Sequence, residues 1–148
     1  MCMKKFLYFC IVGIICVAVI LFIPGKNNKN SHNISKDGSS NEKRLEYIRS
    51  YGWEVSPMPK EKTLTLIPEV FSSTLEDYNN MQLKSGFDLK PLCGKEIVRF
   101  SYRLLNHPLD KNYARVNIFV YKGEIVAADV SSTKLDGFMH SIEKKNFD

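Results

Sequence analysis

The chain has 148 residues with 44% hydrophobic and 25% charged side chains, which leaves room for a single ordinary domain once an apolar N-terminus is set aside. Its formal charge of +5 is unevenly placed: residues 1–41 hold five lysines against Asp37, whereas residues 42–148 hold 16 Lys/Arg against 15 Asp/Glu. The excess cations therefore gather in the N-terminal 41 residues, and the remainder lacks the footprint of a nucleic-acid-binding protein.

Residues 6–23 carry no charge and lie between Lys4-Lys5 and Pro24-Gly25-Lys26. As a helix they would reach about 27 Å, close to a bilayer's hydrocarbon thickness of about 30 Å. A cleaved signal peptide needs a shorter apolar core and a small-x-small site, and Ile23-Pro24-Gly25 is a poor one. Cys10 follows Phe9 and Cys16 follows Ile15, so neither suits lipid attachment. Residues 1–23 thus read as an uncleaved single-pass signal-anchor in the cell membrane. Lysines flank both ends, and the short head ahead of the span places the rest of the chain outside the cytoplasm. Residues 24–41, with Ile34 as the lone large apolar side chain, read as a flexible polar linker. Residues 42–148 are left as one globular domain.

Within that domain the spacing of Leu45, Ile48 and Tyr51 predicts a helix over 41–51, capped by Ser39 or Asn41 and stopped by Gly52. Trp53 follows as a core anchor. The alternation in KTLTLI predicts a strand over 62–67. Pro68 then opens a helix over 68–84, with Phe71, Leu75, Tyr78 and Gln82 on one stripe and Ser85-Gly86 at its end. Residues 97–132 read as a three-stranded meander with the polar loop NHPLDKN and a Lys122-Gly123 turn. A two-residue turn pairs Tyr121 with Glu124, Val120 with Ile125, Ile118 with Ala127 and Val116 with Asp129, a register that a bulge would slip by one. Residues 136–145 read as a short helix. The fold class is α+β: an antiparallel sheet of three to four strands packed by helices, its core built from Trp53, Phe71, Leu75, Val98, Phe100, Tyr102, Val116, Ile118 and Val120.

Little chemistry is written into this pattern. There is no Gly-rich phosphate loop, CxxC, HExxH or nucleophile elbow, so no catalytic residue, metal site or cofactor is indicated. Three of the four cysteines belong to the N-terminal segment, which leaves Cys93 without a partner inside the domain and without a neighbouring His to activate it. Asp88 and Asp129 are the carboxylates an envelope enzyme would use. The register above buries Asp129 on the apolar face, where it needs a donor such as Tyr102, an Arg or a backbone amide. His140 and Glu143 would share a helix face, but two ligands do not make a metal site. Arg99, Arg103, Tyr113, Arg115 and Tyr121 form a mixed basic and aromatic face on one side of the sheet. Such a face can bind an envelope protein or an anionic polymer, although a solvated sheet surface more commonly alternates the same residues. A regulator of a neighbouring membrane protein is the other reading. Nothing fixes an oligomeric state.

The residues Gly52-Trp53, Ile67-Pro68, Phe71, Tyr78-Asn79, Gln82, Gly86-Phe87-Asp88-Leu89 and Gly94-Lys95 resemble a bacterial family known as a domain of unknown function, number 4830. Asp129-Val130 and Asp136-Gly137-Phe138 fit the same pattern, so the resemblance extends over roughly residues 45–140. It implies a small protein of Gram-positive-type bacteria, with one N-terminal apolar segment holding the domain at the outer face of the cytoplasmic membrane. It supplies no activity and no site residue.

Overall fold

Alternating apolar residues after a left-handed turn are what make this chain a sheet. In a computed structural model that describes residues 34–144, Lys122 (φ 48°) and Gly123 (φ 86°) form the primed turn that joins two long strands. The elements in order are helix α1 (Asn41–Ser50), strand β1 (Glu61–Leu66), helix α2 (Ser73–Lys84), a 3₁₀ turn (Lys90–Leu92), and strands β2 (Glu96–Arg103), β3 (Ala114–Tyr121), β4 (Glu124–Ser132) and β5 (Met139–Ser141). The strands form one antiparallel sheet in the order β1-β2-β3-β4-β5. The α+β class stands, with five strands rather than three to four. The expected anchor over 1–23 and the linker up to residue 33 lie outside the described residues. Among the described residues no helix is long and apolar enough to cross a membrane.

The fifth strand replaces the helix expected over 136–145. Gly137 N–H donates to Lys134 O at 3.0 Å in a tight turn, and Ser132 N–H then meets Phe138 O at 2.9 Å, so the chain folds back along β4 instead of coiling. The part of the expected linker from Ile34 onward is also ordered. Ile125 N–H donates to Lys36 O at 2.7 Å and Gly38 N–H to Gly123 O at 2.8 Å. Gly38 fits there because a Cβ would stand 2.8 Å from Val120 and 2.9 Å from Ile125. Ser40, rather than Ser39 or Asn41, caps α1. Helix α2 begins at Ser73 with Ser72 as its cap, not at Pro68. Ile67, just before that proline, is held across a β-bulge: Gly94 (φ 71°) donates to Ile67 O at 2.8 Å and Ile67 donates to Lys95 O at 2.9 Å. The proline is thereby kept with the end of β1.

The turn pairs Tyr121 with Glu124 and Val120 with Ile125 as expected, but a bulge follows, and Phe119 pairs with Ala127, Ile118 with Ala128, Asn117 with Asp129 and Val116 with Val130. The expected pairs Ile118–Ala127 and Val116–Asp129 do not form. Val126 is the inserted residue, and beyond it every β4 side chain changes face. Asp129 thus moves off the apolar face.

The two faces of the sheet carry separate cores. On the first, Leu45, Tyr47 and Ile48 of α1 close with Trp53 over Tyr102, Leu104, Val116, Ile118, Ile125, Val130 and Ile142. On the second, α2 and the following loop cover a smaller cluster of Ile67, Leu89, Ile97 and Ala127, flanked by Phe71, Tyr78, Phe119 and Tyr121. Val98 and Phe100, expected in the core, are half-buried, as is Leu75.

Candidate functional site

Helix α2 reaches the second face through polar side chains. The Gln82 amide donates to Ala128 O at 3.0 Å and accepts from Ala128 N–H at 3.1 Å, occupying the place on β4 where β5 has ended. Asn79 donates to Asp88 Oδ1 at 3.0 Å and accepts from Leu89 N–H at 2.8 Å, fixing the chain after the helix. Tyr78 donates to Asp129 Oδ2 at 2.8 Å. Sequence periodicity placed Tyr78 and Gln82 on the helix stripe but not Asn79, and it could not reveal that the partners are backbone groups and carboxylates.

Asp129 is buried, and its Oδ1 accepts from Asn117 Nδ2 at 2.7 Å, while the same amide reaches Ser131 Oγ at 2.9 Å. Its donors are Tyr78 and Asn117, not the Tyr102 the simpler register offered. Burial pushes the carboxyl up, against the lowering pull of Asn117, Tyr78 and the nearby Arg99 charge. Burial and the Asp129 charge likewise push the Tyr78 hydroxyl well up. A groove of about 490 Å³ runs beside Tyr78, lined with Leu75, Asp77, Met81 and Met139, but Asp129 does not line it. Asp88 is exposed and held below its ordinary range by Lys90 N–H and Asn79. Both carboxylates are engaged in bonds that hold the fold.

The other half of the second face carries polar side chains, of which Ser101 and Asn117 are buried, Arg99 and Arg115 half-buried and Arg103 exposed. Arg99 donates to Glu61 at 2.6 Å, and its buried Nε has no hydrogen-bond partner among the described residues. Next along the strands, Ser101 faces Asn117, and Arg103 is the direct register partner of Arg115. Like charges set opposite each other across a ladder repel. Neither Arg103 nor Arg115 makes an ion pair among the described residues; Arg115 instead donates to Ala114 O at 2.9 Å. Tyr113 continues this corner, 47% exposed, with the Lys134 ammonium 5.0 Å from its ring centroid. By register Arg99, Arg103 and Arg115 lie on one side of the sheet, and Tyr113 immediately precedes β3. Tyr121, on the same side, sits at the opposite end of β3 and packs with the second core.

A different cluster escaped the sequence reading. His107, in the loop before β3, is fully buried, stacked 4.5 Å from Phe138 and 5.9 Å from Trp53, with His140 at 5.8 Å. Its Nδ1 accepts from Asp110 N–H at 3.1 Å, so the ring shapes its own loop. Burial and His140 hold its pKa down. His140 lies on β5 rather than on a helix with Glu143, and no group of metal-binding side chains occurs among the described residues. Cys93 is half-buried and unpaired.

The model of the family described as domain of unknown function (DUF4830) matches residues 47–130, and the chain belongs to that family. No curated protein and no solved structure matches it.

Proposed function

We propose, with membership of that family as the premise, that the chain is a membrane-anchored binding module whose domain stands outside the cytoplasm and captures an anionic envelope polymer or an acidic stretch of an envelope protein. The uncharged segment over 6–23 supports the anchor. The observation that carries the binding role is the cross-strand pair Arg103–Arg115. Two arginines opposed across the ladder, neither in an ion pair among the described residues, supply guanidinium donors of the kind that suit phosphate or carboxylate oxygens. Arg99 extends the row, and Tyr113 adds an amphipathic surface beside it.

The test uses the purified full chain in detergent, with polyphosphate and poly-glutamate as probes. The native protein binds one or both, with an affinity that falls as salt rises. Replacing Arg103→Ala together with Arg115→Ala lowers affinity at least tenfold, about 1.4 kcal/mol, while the melting temperature does not fall. Equal affinity in the double variant would remove this surface from the reading. In intact cells, protease added outside digests a C-terminally tagged domain; protection until lysis would reverse the topology.

A further inference from the structure

Strand β1 closes one edge of the sheet and pairs only with β2 among the described residues. Which of its backbone groups face outward follows from the ladder. Ile67 is bonded toward the β2 side, so the two-residue alternation turns Thr65 and Thr63 inward and Lys62, Leu64 and Leu66 outward. The side chains of that outward set are exposed as well, Leu64 by 59% and Leu66 by 61%. Natural edge strands are usually guarded by proline, a mid-strand bulge or several charges. Within Glu61–Leu66 the outward set has Lys62 as its sole charge.

From this geometry we infer that β1 pairs with β1 of a second copy of this chain, antiparallel and two-fold symmetric about Leu64. In that register Leu64 meets the second copy's Leu64, and Lys62 meets the second copy's Leu66. Every outward N–H and C=O of Lys62, Leu64 and Leu66 then finds its complement. On the opposite face Thr63 stands against the second copy's Thr65, a favourable cross-strand pair. Charge fits too. Glu96 is the β2 partner of Leu66, so the second copy's Lys62 lies on the far side of Leu66 from that carboxylate. The two backbones are roughly 9–10 Å apart, a gap their long side chains can close. Centring the two-fold on Lys62 would oppose like charges, and centring it on Thr63 or Thr65 would leave one end of the outward set unpaired.

This pairing is independent of the arginine surface, but it has a consequence for it. A two-fold axis perpendicular to the sheet keeps corresponding faces on the same side, so both copies present Arg99, Arg103 and Arg115 in one direction. A polyanion long enough to reach both would gain by avidity. The contact itself is that of one short strand, which belongs to the weak, transient class of interfaces.

Disulfide trapping in membranes tests the pairing, using full chains whose four native cysteines are replaced by serine. Single Cys substitutions at Thr63, Leu64 and Thr65 are oxidised and the covalent dimer is measured. The Leu64→Cys chain gives severalfold more dimer than either neighbour, because in this register residue 64 alone meets itself. A second chain, Lys62→Cys with Leu66→Cys, also cross-links, and adding Leu64→Lys abolishes that dimer without changing the melting temperature. Absence of dimer at 64, equal yields at all three positions, or a cross-link indifferent to Leu64→Lys would each overturn the pairing.

Discussion

The two faces of the sheet are closed by different physics. The first is covered by area: α1, Trp53 and Ile142 bury large apolar side chains over most of the strands. The second carries a small apolar cluster, and α2 is held by bonds from Tyr78, Asn79 and Gln82 to fixed partners. Burial is roughly proportional to area and tolerant of detail, whereas a buried polar bond is costly to break and indifferent to area. A helix held by three polar contacts can cover half a face and stop. That leaves the arginine corner to polar side chains without exposing a core.

Trp53→Ala puts the first face to its hardest test. Trp53 is fully buried, donates Nε1–H to Ile142 O at 2.6 Å, and stacks on His107. Removing it should cost about 3–5 kcal/mol, a large share of the stability of so small a domain, and a denaturant midpoint will show it. Gln82→Ala tests the second face. It strips both partners from the buried Ala128 backbone and should cost about 1–3 kcal/mol. Gln82→Glu distinguishes bonding from packing. A carboxylate keeps the acceptor but faces Ala128 O, so this variant should be less stable than Gln82→Ala at neutral pH and recover as acid protonates it. If both variants match the native midpoint, α2 is held by something other than this amide.

The first face was largely legible in sequence, and the second was not. Period-two alternation in β2 and β3, the Lys122-Gly123 turn and the stripe of α1 specify their own burial, so those elements fell where expected. The bulge at Val126 follows from no alternation rule: Ile125, Val126, Ala127 and Ala128 are all apolar, and any of them fits either face. One inserted residue moved Asp129 from an apolar environment to a polar network. The arginines fall on one side of the sheet because they lie on the unbulged strands β2 and β3, and Tyr121, on the same side, packs against the smaller core at the other end of β3. His107 escaped because a buried loop histidine has no periodic signature. The residues that carry the family resemblance turn out to be fasteners: Gln82, Tyr78, Asn79 and Gly94 all bond the second face together.

Asp129 offers a subtler test of that fastening. Its native pKa is raised by burial, so it stabilises the fold fully below its unfolded value of 3.8 and loses that contribution as pH rises through the native value. Asp129→Asn keeps the shape and an acceptor for Asn117 while removing the charge. Its stability relative to the native chain should therefore improve from pH 3 toward pH 7. A constant difference across that range would mean the carboxyl titrates as it does unfolded.

Arg103→Glu carries the smallest expected change in stability and bears most directly on the contrast between the faces. Arg103 and Arg115 oppose each other across β2 and β3, a pairing that a purely structural surface has no reason to keep. Reversing one charge turns repulsion into attraction, so the domain should become more stable by a few tenths of a kcal/mol, an increment that shrinks in salt. The same substitution places a carboxylate in the middle of the proposed anion surface and should abolish polyphosphate or poly-glutamate binding. A gain in stability with a loss of binding is what a functional site held against its own stability predicts. A loss of both would show instead that Arg103 helps to hold the sheet, and the polar half of the second face would then be a solvated surface.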